Sequence, residues 1–245
     1  MIVIPMAGLS RRFSEAGYER PKYMLPVGER SMFEISVRSF ERYFTEADFL
    51  FVYREVAGTD RFVRAEAARL GIRNAAFVQL DAPTGGQAET VALGLARSGV
   101  GPATPITVFN IDTIRPGFGF PTDGRTLACA GYLEVFHGSG DNWSFVAAAD
   151  ADPGRVARTT EKEPISDLCS TGLYHFARAE YFLDAFAASL SGGDAAKREH
   201  YVAPLYNRLI ARGLEVRYVV IDRSEVIFAG VPQEYVDLCR SWGGA

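Results

Sequence analysis

Two short clusters near the start of the chain hold residue types that bind phosphate. Gly8-Leu9-Ser10-Arg11-Arg12-Phe13 follows an apolar run, and Pro21-Lys22-Tyr23-Met24-Leu25-Pro26-Val27 lies just beyond. A turn of small residues at the end of a strand lets backbone N–H groups approach an anion closely. Arg12 then adds a planar fork of donors, and Lys22 a point charge. The cluster lacks the G-x-x-x-x-G-K spacing of a P-loop and the full glycine triplet of a dinucleotide fingerprint. Read from the residues alone, it is either an anion-binding loop or an ordinary loop with two solvated cations.

Further candidates lie downstream. Asp112 closes the apolar run Ile106, Val108, Ile111. A carboxylate there either holds a metal or caps a turn. Gln79 stands at the end of another run, where its amide can satisfy backbone groups at a strand edge. Gly85-Gly86-Gln87-Ala88 opens a helix, where glycine tolerates the required backbone geometry. Lys162 lies between Glu161 and Glu163 and by composition is part of a solvated charged face. Trp143 sits in a stretch rich in Gly, His, Asp and Asn, over a polar ligand or tucked into the core. His137, His175 and His200 have no Ser or Cys partner at a telling spacing, so structural or surface roles are expected for all three.

Elements must position these groups. Ile2 to Met6 is apolar and β-prone and breaks at Gly8. From Ser31 the period changes to a helical one, with Phe33, Val37, Phe40 and Phe44 on one face, and Ser31 with Glu34 forms a capping box. Asp48 to Val52 reads as a buried strand. A helix opens at Thr59 or Asp60 and closes at Gly71. Ala75–Gln79 is a third strand, 86–97 a third helix, and the run from Ile106 a fourth strand ending at Asp112. This alternation predicts a mostly parallel sheet covered on both faces, with ligands bound beyond the carboxyl ends of its strands. The segments after Met6, after Gln79 and around Asp112 then converge on one crevice. In the second half, strands over 127–136, 145–149, 155–160 and 169–176 follow without helices between them and predict antiparallel additions at the edge of the same sheet. Helices are expected over 178–190 and 199–211, strands over 216–220 and 226–228, and a last helix from Pro232.

Composition narrows the classes. The 245 residues are 48% hydrophobic and 23% charged, enough for one core and too apolar for a disordered chain. A formal net charge of −4 disfavours nucleic acid and anionic membrane as partners. No apolar run approaches a membrane span, and the start of the chain lacks a basic leader, so a cytoplasmic protein is expected. Cys129, Cys169 and Cys239 are odd in number and far apart, matching neither a disulfide framework nor a zinc site. No low-complexity linker divides the chain, so a single domain over 1–245 is expected.

The pair G-x-S-x-R-F and P-K-x-x-L-P-V, in that order after the first strand, resembles the signature of the sugar-1-phosphate nucleotidyltransferases. Gln79 with Gly85-Gly86-Gln87-Ala88, Asn110-Ile111-Asp112, Glu161-Lys162 with Pro164, Ser170-Thr171-Gly172-Leu173-Tyr174, and Ala229-Gly230-Val231-Pro232-Gln233-Glu234-Tyr235 extend the likeness through most of the chain. The resemblance implies a nucleotide-diphospho-sugar-transferase (GT-A-like) fold. That is a three-layer α/β/α Rossmann-like fold with a mixed, mostly parallel sheet, a nucleotide-binding half over 1–120 and an acceptor-binding half over 121–245. It also implies transfer of NMP from an NTP to a small phosphate monoester, with release of pyrophosphate. Arg12, Lys22 and Lys162 would be catalytic; Ala7, Gly8, Ser10, Gln79, Gly85 and Gln87 would hold the nucleotide. Glu161, Thr171, Gly172 and Trp143 would meet the acceptor, and Asp112 would hold Mg2+.

One departure stands out: Phe228 occupies the position where members often carry a second metal-binding aspartate. Asp222 or Glu225 would substitute, or Asp112, triphosphate and water would suffice, or the chain would be inactive. The implied product is an activated sugar for surface-polysaccharide assembly. The alternatives are a CTP-dependent enzyme for a phospho-alcohol, a glycosyltransferase on the same sheet, and an inactive nucleotide-sugar-binding module.

Overall fold

The computed structural model describes residues 1–191 and 199–242. The first apolar run forms β1 (Ile2–Pro5), followed by a short helix, α1 (Arg11–Glu15). Strands β2 (Pro26–Val27) and β3 (Arg30–Ser31) pair as a hairpin and lead into α2 (Met32–Val37). The Ser31 hydroxyl accepts from Glu34 N at 3.1 Å, so the expected cap forms. The Glu34 carboxylate does not complete a capping box; it turns to Arg38 and Arg69 instead. Phe33, Val37, Phe40 and Phe44 are all buried, although the helix tightens after Val37 and Phe40 leaves helical geometry.

Alternation then continues through β4 (Asp48–Arg54), α3 (Thr59–Arg69), β5 (Asn74–Leu80), α4 (Gln87–Ser98) and β6 (Ile106–Phe109). After β7 (Thr113–Ile114) and α5 (Gly124–Ala128) come β8 (Gly131–His137), β9 (Ser144–Ala149), β10 (Asp152–Glu161) and β11 (Leu168–Phe176). The chain ends with α6 (Ala179–Ser191), α7 (Tyr206–Ala211), β12 (Val216–Val220), β13 (Ile227–Phe228) and α8 (Pro232–Trp242).

Nine strands form one mixed sheet in the order β5-β4-β1-β6-β11-β8-β12-β10-β9. β1 pairs in parallel with β4 and β6, and β4 with β5. β11 then runs antiparallel between β6 and β8, so the second half extends the sheet from its middle. One face buries Leu50, Val52, Val91 and Leu95 with Phe182, Leu205 and Leu209. The other buries Ile4, Phe49 and Phe51 against Phe33 and Val63. A third cluster joins Phe13, Leu25 and Ile35 to Tyr235 and Leu238, packing α8 onto the segment after β1.

Three boundaries differ from expectation, each for a local reason. The strand expected from Leu127 begins at Gly131, because Asp123 Oδ1 accepts from Thr126 N at 2.9 Å and caps a helical turn. The helix expected from Glu199 starts at Tyr206, after a 3-10 turn at Ala203–Leu205 with proline near its start. β6 stops at Phe109, so Asn110 to Asp112 form a turn closed by Thr113 N donating to Asn110 O at 3.1 Å. Among the described residues, no helix is long and apolar enough to cross a membrane.

Candidate active site

Beyond β1 the backbone follows β4 for one more step, with Met6 N donating to Val52 O at 2.7 Å. Ala7 is buried, and its carbonyl accepts from Arg54 Nε at 3.0 Å. A Cβ placed on Gly8 would meet nothing within 4 Å, so open space lies over the loop. Ser10 adopts a left-handed φ of 48° and starts α1. Phe13 anchors that helix by burying its ring against Tyr18 and Tyr235, at 5.5 and 6.1 Å between centres. The anchor leaves Arg11 and Arg12 exposed, and Arg12 makes no ion pair or side-chain hydrogen bond among the described residues. The loop borders a cavity of about 170 Å³ whose lining includes Gly8, Ser10, Tyr18 and Arg54.

Lys22 sits in a tight turn held by the buried Tyr23, whose hydroxyl bonds Thr59 Oγ1 at 3.0 Å. From there the Lys22 ammonium forms an ion pair with Asp112, across ninety positions of sequence. The Asp112 carbonyl accepts from Ala229 N at 2.9 Å, which draws the late Ala229-Gly230-Val231 segment to the same place. Glu234 is the second carboxylate beside Gly230, but it accepts from Gly230 N and Val231 N at 2.8 and 3.2 Å as the cap of α8.

Gln87 donates its side-chain amide to Asn110, which ties the start of α4 to the turn carrying Asp112. Asn110 N in turn donates to Gly172 O at 3.2 Å. Gly172 has a φ of 90°, and a Cβ there would lie 2.4 Å from Asn110 Nδ2, so only glycine fits. Thr171 is buried; its hydroxyl donates to Glu134 Oε1 at 3.0 Å and is not presented to the crevice. Gln79 is exposed near the end of the edge strand β5, with its carbonyl accepting from Arg97 at 3.0 Å.

In the second half of the chain, Lys162 has a left-handed φ of 56°, and its N donates to Trp143 O at 2.9 Å. Its ammonium donates to Tyr201 Oη at 2.6 Å and lies 3.7 Å from Glu199 Oε2. The Glu161 carboxylate accepts from Ser144 Oγ, which also bonds the Tyr174 hydroxyl at 3.3 Å. Burial pushes the Glu161 carboxyl above its ordinary range, outweighing Ser144 and Lys162. Burial also pushes Tyr174 up to about 12, so its hydroxyl stays protonated.

Phe228 pairs in register with Thr113, next to Asp112, and its ring turns away onto Trp143 and Phe136, 4.7 and 5.4 Å between centres. Trp143 is therefore packed against rings, with its Nε1 donating to Ser139 O at 3.1 Å. Asp222 and Glu225 are committed elsewhere: they form a capping box with each other, and Glu225 Oε2 lies 3.7 Å from the buried Arg115. The carboxylates offered as second metal ligands are thus used in holding their own turn.

Among the described residues, no group of three or more His, Cys, Asp or Glu side chains gathers as a metal cage. A single carboxylate suits Mg2+, which retains waters and takes phosphate oxygens as ligands; it does not suit a cation needing an all-protein cage. A larger cavity of about 580 Å³, lined by Arg125, Asp152, Glu215 and Arg217, contains none of the residues discussed.

The structure therefore brings Lys22 to Asp112, Gln87 to Asn110, Asn110 to Gly172, and Lys162 to Trp143. It leaves Thr171 buried and commits the exposed Asp222 and Glu225 to the cap of their own turn. Sequence reasoning missed Arg54, although a cation at the carboxyl end of a parallel strand is where such a sheet places ligand contacts. It also missed Glu199, whose approach to Lys162 no local pattern signals.

No protein-family model and no curated protein sequence matches the chain. Solved structures do. The chain superposes on the crystal structure of a nucleoside-diphosphate-sugar pyrophosphorylase from Vibrio cholerae RC9 with a TM-score of 0.93 and 52% identity, covering 98% of this chain and 100% of that one. A putative glucose-1-phosphate thymidylyltransferase from Bacillus anthracis matches with a TM-score of 0.74 at 16% identity, over 100% of this chain and 95% of that one. The inositol-1-phosphate CTP transferase from T. maritima matches with a TM-score of 0.74 at 13% identity, over 100% and 96%. The last two share the fold. The first shares half its residues over almost the whole length of both chains, and on that likeness this chain belongs to the nucleoside-diphosphate-sugar pyrophosphorylases, enzymes of the nucleotidyltransferase type.

Proposed function

We propose that the chain joins the nucleoside monophosphate of an NTP to a sugar 1-phosphate, supplying an activated sugar from the cytoplasm for surface-polysaccharide assembly. The observation that carries this reading is the Lys22–Asp112 pair, a cation and a carboxylate brought together beyond neighbouring parallel strands. In this reading residues 1–120 and 121–245 are the nucleotide and acceptor halves of one unit.

The nucleophile is an acceptor phosphate oxygen, already an anion near neutral pH because the second pKa of a phosphomonoester is about 6. No general base is needed. That oxygen bonds to the α-phosphorus while the bond to pyrophosphate breaks and its electron pair leaves on the pyrophosphate oxygen. The barrier is electrostatic, so positioning and charge stabilisation dominate. Backbone groups of Ala7, Gly8 and Ser10 with Gln79, Gly85 and Gln87 hold the nucleotide. Arg12 faces the β- and γ-phosphates. Lys22 exchanges Asp112 for the α-phosphate; Asp112 would hold Mg2+, which would supply neutralisation of phosphate charge. Lys162 meets the acceptor phosphate, with Glu161 and Gly172 on the acceptor side and Trp143 bordering it as a packed wall.

The test has two stages. Melting shifts are measured with CTP, UTP, dTTP, GTP and ATP, with and without Mg2+; a ligand at 100 times its dissociation constant adds about 2.7 kcal/mol. Pyrophosphate release is then measured with hexose 1-phosphates, inositol 1-phosphate and phosphocholine. Turnover of a hexose 1-phosphate supports the reading. Turnover of only inositol 1-phosphate or phosphocholine with CTP replaces it by the phospho-alcohol alternative.

A further inference from the structure

Lys162 takes its position from residues 199–201, a segment that also grips the glycine loop at the start of α4. The Lys162 ammonium donates to Tyr201 Oη at 2.6 Å and lies 4.9 Å from the centre of that ring. The Tyr201 hydroxyl passes its own proton donation to the Glu199 carboxylate. Between these two side chains the backbone of His200 faces the other way. Its N donates to Gly85 O at 2.7 Å, and its O accepts from Ala88 N at 2.9 Å. A Cβ on Gly86 would lie 2.5 and 2.6 Å from His200 O and N, so the grip requires glycine.

The lysine is unusual in this chain. Only three of its 26 basic residues are lysines: Lys22, Lys162 and Lys197. An ammonium on a flexible stem has no shape of its own to aim it, unlike a guanidinium fork. Tyr201 provides that aim while adding no charge. Its hydrogen bond also favours the charged form of Lys162.

We propose that Tyr201 is the positioning residue for Lys162, aiming its ammonium at the acceptor phosphate and, through His200, tying that aim to the glycine loop of the nucleotide half. This rests on the reading of Lys162 as the acceptor-phosphate contact. Glu199, at 3.7 Å, is the counter-ion that an incoming phosphate dianion displaces. The tie spans three residues, so a shift of the glycine loop reaches Lys162 with little slack.

The experiment compares wild type, Tyr201→Phe, Lys162→Ala and the double variant. Pyrophosphate release is followed with the fastest of those acceptors, each substrate being varied in turn while the other is saturating. Tyr201→Phe is expected to lower kcat/KM for the acceptor roughly 10- to 100-fold, the worth of a charge-assisted hydrogen bond. It leaves triphosphate KM within about twofold and adds nothing in the Lys162→Ala background. With three lysines in the chain, 13C-lysine spectra give a second reading: the Lys162 signal moves in Tyr201→Phe and the Lys22 signal does not. If Lys162→Ala is impaired and Tyr201→Phe matches wild type, the inference alone falls. It also falls if Tyr201→Phe costs as much with Lys162 absent. Unchanged acceptor kinetics in Lys162→Ala overturn the reading of Lys162 and this inference together.

Discussion

Lys22 and Asp112 neutralise each other beyond β1 and β6, each with 20% of its side chain open to solvent. A pair that accessible is a weak structural brace but a strong local charge arrangement. Lys22→Ala is expected to lower turnover 10²- to 10³-fold, or about 3–4 kcal/mol of barrier, while moving the free energy of unfolding by less than about 1 kcal/mol. Turnover within a few-fold of wild type in the pyrophosphate-release assay would remove Lys22 from the mechanism.

Two glycines at the site are expected to respond oppositely to alanine. At Gly172 a Cβ meets Asn110 Nδ2 at 2.4 Å, with φ at 90°. Alanine there is expected to cost about 1–3 kcal/mol through backbone strain alone, read as a lowered melting temperature. At Gly8 a Cβ meets nothing. Gly8→Ala is expected to melt like wild type when free and, under the proposed nucleotide contact at this loop, to lose most of the shift given by triphosphate.

Arg115 and Glu134 form a fully enclosed pair. Arg115 Nε and Nη2 donate to the two Glu134 oxygens at 2.8 and 3.0 Å, and Nη1 donates to Glu225 O at 2.7 Å. The side chains are 6% exposed on both partners. Arg115→Met leaves a buried carboxylate without its cation, a loss of about 3–5 kcal/mol. Denaturant unfolding of Arg115→Met with Glu134→Met should recover part of that loss, since no charge then remains unpaired.

His175 bonds Thr107 Oγ1 at 2.9 Å and stacks on Tyr132. Burial, reinforced by the chain's N-terminal charge, holds its pKa down at about 4 from 6.5. The unfolded chain therefore binds a proton that the folded chain refuses between those values, and stability falls as pH falls through that window. Moving from pH 7 to pH 5 is expected to cost on the order of 2 kcal/mol from this group. Urea titrations at both pH values should show a smaller difference for His175→Gln than for wild type.

Much of this architecture was legible because its signals are local. Ser31 and Glu34 announced a helix start, and Phe33, Val37, Phe40 and Phe44 announced its buried face. The loop after β1 was visible as small and charged residues ending an apolar run, whereas Asn110 to Asp112 read as the end of a strand and form a turn instead. The rest depends on pairings between distant parts of the chain. No spacing reveals that Thr171 gives its hydroxyl to Glu134, or that Asp222 and Glu225 hold each other. Leu127 and Ala128 read as the start of a strand by composition, and the Asp123 cap draws them into a helical turn. The bonds from His200 to Gly85 and Ala88 lie beyond any local pattern.

The place of β11 has an evolutionary consequence. It fills the seam between β6 and β8, so a fragment cut near residue 120 would expose β6 as a raw edge open to aggregation. Recombination between relatives at that boundary would have to carry β11 along with the strands on either side. Any chimaera joined there must therefore preserve the seam in which Leu173, Tyr174, His175 and Phe176 pair with Phe109, Val108, Thr107 and Ile106.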